Sequence, residues 1–189
     1  MKTFSQMITC LTVLLALAAC GPGEPEPVAD TSAGPYVVAA TPVDAGRYLA
    51  IVSGCNDCHT PGWLETGGKV TEDDWFTGSS LGWRGPWGTT YANNLRLSVQ
   101  HLTEDDWVDY MHLRTDSPPM PWMNVNQMSE KDARAIYQYI ASLGPKGADV
   151  PAALPPGAEP ATPFILLEPQ TATPRPESET DEAADKGDG

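Results

Sequence analysis

The pentapeptide Cys55-Asn56-Asp57-Cys58-His59 decides how the rest of the chain is read. Residues three apart on a helical turn share a face, so both thiols project the same way and the imidazole of His59 follows directly behind them. The preceding residues predict a helix running into Cys55. Thr41 is a side-chain cap, Pro42 suits the first helical position, and Val43, Tyr48, Leu49, Ile51 and Val52 supply a broad apolar face. Of four cysteines, Cys10 lies inside an apolar leader and Cys20 at its end. Only Cys55 and Cys58 remain for the folded part, too few for a disulfide framework.

Four uses of such a pair compete. A thioredoxin-like redox pair belongs in a βαβ unit, which the Gly-, Trp- and Pro-rich stretch after His59 does not supply. Zinc needs four ligands, and the other histidines, His101 and His112, are distant and out of ligand spacing with each other. A disulfide closed over two residues is strained. C-x-x-C-H is also the pattern of c-type haem attachment, in which each thiol adds to one vinyl group and the adjacent histidine faces the iron. That reading, one covalent haem c held by Cys55, Cys58 and His59, uses all three side chains. It also meets a structural need, because a core of residues 42–144 with three short helices buries little without a large apolar cofactor.

Working outward, 189 residues of which 41% are hydrophobic bound the chain to one domain or two small ones. Nineteen Pro and seventeen Gly predict long stretches outside a packed core. A net charge of −14, with only eleven Lys and Arg and none in a run, excludes a nucleic-acid binder. Residues 1–19 carry Lys2, an apolar run from Ile8 to Ala19 and small residues before Cys20, the pattern of a secretory signal rather than a membrane span. Leu17-Ala18-Ala19-Cys20-Gly21 resembles the lipobox of bacterial lipoproteins. This implies an acylated Cys20 and a periplasmic protein anchored by lipid to a membrane of the cell envelope, against the plainer reading of a cleavable signal with a chance cysteine. Residues 20–41 read as a flexible linker. Residues 145–189, rich in Pro, Ala, Glu and Thr, read as a mostly disordered tail. For its one apolar island, Phe164-Ile165-Leu166-Leu167, docking on the domain and exposure as a solvated cluster both stand open.

Two further helices are legible. One starts at the cap Thr103, with Asp106 at its third position and Leu102 placed to staple Trp107, and reaches about Arg114. The last starts at the cap Ser129, carries Ala133, Ile136, Tyr137, Ile140 and Leu143 on one stripe, and stops at Gly144-Pro145. The segment from Pro61 to Gln100 shows no sustained period and is read as ordered loop with one short helix at most. The repeated Thr-Glu-Asp-Asp-Trp at Thr71–Trp75 and Thr103–Trp107 is read as a cap pattern occurring twice, without chemistry.

An attached haem needs a second axial ligand, and Met111, Met120, Met123, Met128, His101 and His112 are the candidates. Met120 is favoured because Pro118-Pro119-Met120-Pro121 fixes the backbone around a soft thioether, with Met123 its main rival. Met111 and Met128 suit core packing.

Four pieces together resemble the single-haem class I cytochromes c, particularly bacterial cytochrome domains that accompany membrane-associated dehydrogenases. They are Cys55-Asn56-Asp57-Cys58-His59-Thr60-Pro61, Gly88-Thr89-Thr90-Tyr91-Ala92-Asn93-Asn94-Leu95, Pro118-Pro119-Met120-Pro121-Trp122, and the helix from Met128 to Leu143. The resemblance spans about residues 55–143. It implies an all-α fold of three to five short helices and long loops around a covalent haem, with Met120 as distal ligand. Relatives of this kind often carry several haem domains, whereas this chain has one motif.

Arg84, in Gly82-Trp83-Arg84-Gly85-Pro86-Trp87, is a candidate partner for a haem propionate, with packing against tryptophan the alternative. The function implied is a monohaem carrier of single electrons in the cell envelope, working between redox proteins such as a dehydrogenase and an oxidase, without turnover of its own. A haem sensor with a displaceable sixth ligand and the electron-entry subunit of a periplasmic dehydrogenase are the alternatives.

Overall fold

The computed structural model describes residues 34–169 and 171. The predicted signal segment, Cys10, the lipobox with Cys20, the linker up to Ala33 and tail residues 172–189 lie outside them. The described residues form a small, mostly helical domain: α1 (Pro42–Val52), α2 (Cys55–His59), β1 (Gly82–Gly85), β2 (Gly88–Tyr91), α3 (Leu95–His101), α4 (Glu104–Leu113), α5 (Trp122–Val125), α6 (Glu130–Ser142) and β3 (Phe164–Leu166).

The three helix starts legible in the sequence form through their caps. The hydroxyls of Thr41, Thr103 and Ser129 accept from the backbone N–H of Asp44, Asp106 and Asp132, and Thr103 with Asp106 makes a full capping box. The first helix does not run on into Cys55. It ends at Val52, and Gly54 in the left-handed region (φ 70°) turns the chain before α2 begins. The cysteine-bearing turn is therefore aimed independently of α1.

The core sits between α1 and α6, where Leu49 and Ala50 meet Ala135, Ile136, Tyr139 and Ile140, with Phe76, Val99, Trp107 and Val108 packed around them. Gly46 permits the close approach, since a Cβ there would collide with the Ala135 carbonyl oxygen. Tyr139 donates to Glu72 Oε1 (2.7 Å), and Glu72 pairs with Arg47 of α1 (2.8 Å), tying both helices to the turn at Glu72–Asp74. Arg96 is buried and donates to the carbonyls of Leu143 and Gly144 at the end of α6, where a cation complements the helix dipole. The domain also begins before Pro42: Val37 N–H donates to Asp132 Oδ1 (2.9 Å) and Lys131 sits over the Tyr36 ring (3.6 Å).

The fold-class expectation changes. The fold is not purely all-α, because β1 and β2 form an antiparallel hairpin and β3 adds to β1 in parallel, giving the mixed order β2-β1-β3. Strands of four residues are too short to show a period, yet the β-branched and aromatic residues Trp83, Thr89, Thr90 and Tyr91 flank a two-residue Pro86-Trp87 turn. Helix α3 is the one short helix allowed for in the stretch from Pro61 to Gln100, capped by Asn94, whose Oδ1 accepts from Leu97 N–H (3.1 Å). The Thr71 copy of the repeated pentapeptide forms only a single 3₁₀ turn, because Phe76 (φ 61°) reverses the chain just beyond it.

Residues 145–167 lie along the domain. Asn94 Nδ2 donates to the carbonyls of Lys146 (2.8 Å) and Ala148 (3.2 Å), and Thr89 and Leu154 exchange both backbone hydrogen bonds. The apolar island docks as β3, with Gly82 opposite Phe164 and Arg84 opposite Leu166.

Candidate functional site

A cavity of about 130 Å³, open to solvent at its mouth, lies between α2, the hairpin, α4, α6 and the proline loop. Its lining is mainly apolar, and Cys55, Cys58, His59 and Met120 all stand on its wall. The structure thus brings together four residues that are 65 positions apart at the extremes of the sequence.

Each is held from behind. His59 is buried, and its Nδ1 lies 2.7 Å from the carbonyl oxygen of Asn93. A carbonyl only accepts, so Nδ1 carries the proton and Nε2 keeps its lone pair. Burial pushes the imidazole pKa down, partly offset by the Asn93 bond, which favours the neutral, ligating form. The α2 turn is anchored through Thr60, whose hydroxyl donates to Asn56 Oδ1 (2.6 Å) and accepts from Phe76 N–H (2.9 Å).

Burial also raises both thiols, Cys55 to about 11 and Cys58 in the same direction, with Asp57 adding to each. A nucleophilic thiolate pair of the redox type has its pKa lowered instead, so these environments oppose that use. Among the described residues, no cluster of three or more His, Cys, Asp or Glu is placed to hold a metal ion.

The proline loop is clamped at both ends. Thr90 Oγ1 donates to the Pro118 carbonyl, Trp122 Nε1 donates to the Asp116 carbonyl, and Trp122 N–H donates to the Met120 carbonyl (2.8 Å). The Trp122 ring stands edge-on to Tyr110 (5.5 Å between centroids). Met123 points elsewhere, 79% exposed. Met111 is buried and lines the same cavity while packing in the core. Met128 packs at the core's edge and accepts from His112 Nε2 (2.9 Å) through its carbonyl. His101 lies on a separate cavity between α3, β2 and residues 149–153.

Arg84 is placed away from the cavity. Strand alternation puts Trp83 on the cavity wall and Arg84 on the opposite face, where it pairs with Glu159 (2.5 and 2.6 Å) and covers the Phe164 ring (5.2 Å). The aromatic ring it covers is therefore one of the tail, Phe164. The residues the sequence reading passes over are Tyr110 and Arg114, which with Trp107 and Met111 line the cavity from α4 and its cap. Their spacing, 107, 110, 111 and 114, is one helical face and was the available signal.

Two thiols on one turn, an imidazole with a free nitrogen and a clamped thioether around one apolar space suit a large, flat, metal-bearing cofactor. No helix among the described residues is long and apolar enough to cross a membrane. Comparison with protein-family models, with curated proteins and with solved structures finds no match to this chain.

Proposed function

We propose that the domain is a monohaem c-type cytochrome that carries single electrons in the cell envelope, exchanging them with redox proteins. The observation that carries this reading is the convergence of Cys55, Cys58, His59 and Met120 on one mainly apolar cavity. Haem iron, alternating between ferrous and ferric, supplies the one-electron storage. Cys55 and Cys58 would each hold the cofactor through a carbon–sulfur bond, the thiol adding across a vinyl group so that its hydrogen goes to the neighbouring carbon. His59 offers Nε2, with its ring orientation held through Nδ1 by Asn93. Met120 offers a thioether, the ligand type that raises a haem potential when paired with histidine. Trp83, Trp107 and Ile136 line the apolar part of the cavity. The lipobox-like segment ending at Cys20 supports attachment to a membrane by lipid.

The test is haem staining of a denaturing gel together with the reduced absorption spectrum. Colour should persist in the wild type and vanish in the double variant Cys55→Ala, Cys58→Ala. Haem that leaves the wild type on acid–acetone extraction would overturn the reading.

A further inference from the structure

Strand β3 is an open edge of the sheet: β1 lies on one side of it, and among the described residues no strand pairs with the other. The Gly82 N–H donates to the Pro163 carbonyl (2.9 Å), and the Leu167 N–H to the Arg84 carbonyl (2.7 Å). Backbone groups alternate sides along a strand, so Phe164 and Leu166 turn their N–H and C=O groups outward, away from β1. The side chains of Phe164, Ile165 and Leu166 are between 38% and 50% exposed. Native proteins blunt such an edge with a lysine, a proline or a bulge. Phe164-Ile165-Leu166 has no charge and no proline, and its register against β1 is unbroken.

Charge selects what fits there. Ten residues past Leu167 begins the acidic end of the chain, Glu177 to Gly189, with six acids and one lysine. Ten residues reach up to about 34 Å, enough to meet anything seated on the edge. A second copy of this chain, itself at −14, would bring its own acids to the same place, and like charges repel. The chain's own continuation carries Pro169, Pro174 and Pro176, which lack the N–H groups a strand needs.

We propose that β3 is a strand-addition site for an extended, lysine- or arginine-bearing segment of another protein, with backbone pairing supplied by Phe164 and Leu166 and attraction by the acidic end of the chain. No cofactor takes part, so the pairing holds with or without the haem reading. Its place is informative all the same. Ile165 stands opposite Trp83, which lines the cavity, and a segment seated on β3 runs about 10 Å from β1, two strand spacings, beside that cavity.

The experiment is a titration of a fluorescently labelled peptide alternating valine and lysine with the whole protein, read by anisotropy. The peptide should bind, and a copy methylated on alternate backbone nitrogens should bind about tenfold more weakly, because it cannot pair along the edge. A copy with glutamate in place of lysine should lose about as much, and that difference should narrow as salt is raised from about 50 to about 300 mM. Leu166→Pro removes an outward N–H and spares those that face β1, so it should weaken binding about tenfold with the urea midpoint unchanged. Should the proline disturb the strand, Leu166→Lys keeps the backbone intact and sets a like charge against the peptide, with the same loss expected. No binding, equal binding by the methylated peptide, or wild-type affinity in both Leu166 variants overturns the proposal. A wild-type dimer that Leu166→Pro converts to monomer in sedimentation also overturns it, since the edge then belongs to a second copy. Tighter peptide binding once the acids from Glu177 to Asp188 are replaced by their amides does so too, since the chain's own tail then shields the edge.

Discussion

His59 Nδ1 donates across 34 residues of sequence to the carbonyl oxygen of Asn93, joining the cysteine turn to the segment that links β2 with α3. The position of that carbonyl depends on the next residue. Asn94 caps α3 through Oδ1 and holds the tail through Nδ2. Asn94→Ala should therefore cost about 1–2 kcal/mol of stability in urea unfolding through the lost cap. It should also weaken the His59 bond, seen by nitrogen NMR as loss of a persistent Nδ1 proton.

The two methionines of the proline loop separate cleanly. In the haem-loaded protein proposed above, Met120→Ala should open the sixth position, turning a low-spin ferric spectrum largely high-spin or water-ligated and admitting carbon monoxide to the reduced protein. Met123→Ala, at an exposed site, should leave the spectrum nearly unchanged. Rapid carbon monoxide binding by the untreated wild type would favour a sensor over a carrier.

Gly46→Ala should destabilise the domain by about 1–3 kcal/mol despite alanine's better helix propensity, because α1 and α6 must separate to admit the methyl group. The urea midpoint measures this, and an unchanged or higher midpoint would contradict the close approach.

The Arg47–Glu72–Tyr139 group makes a pH-dependent contribution. Arg47, and after it Tyr139, hold the Glu72 carboxyl below its usual range. A depressed carboxyl stabilises the fold above its unfolded pKa of about 4.3, and the contribution disappears as pH falls through the lower folded value. The stability difference between wild type and Glu72→Gln should thus shrink between pH 6 and pH 3. Partial exposure limits it to about 0.5 kcal/mol. Tyr139→Phe should cost about 1 kcal/mol at pH 7 through its lost hydrogen bond.

Helix starts were legible because a cap is a local event: Thr41, Thr103 and Ser129 each act on a backbone group three residues away. Cys55, Cys58, His59 and Met120 stand out in the sequence by residue type and rigid neighbours, and the structure places them on one cavity wall. That Arg84 faces away from the cavity was not legible, because the reason lies in strand alternation and in Glu159, which is 75 residues from Arg84. Residues 145–167 lie along the domain despite a composition poor in apolar residues, because they are held chiefly by backbone and polar pairings with Thr89, Asn94 and Arg84, which leave little apolar signal.

Ile136 closes the cavity from α6, and Val37 reaches Asp132 at the start of that helix across 95 positions. Order in time follows from this order in space. As a chain emerges from its N-terminal end, Cys55 and Cys58 appear well before the helix that walls them in, and such long-range closure is slow. Until α6 packs, the wall that Ile136 supplies is missing, so both thiols are more accessible from that side than in the folded domain.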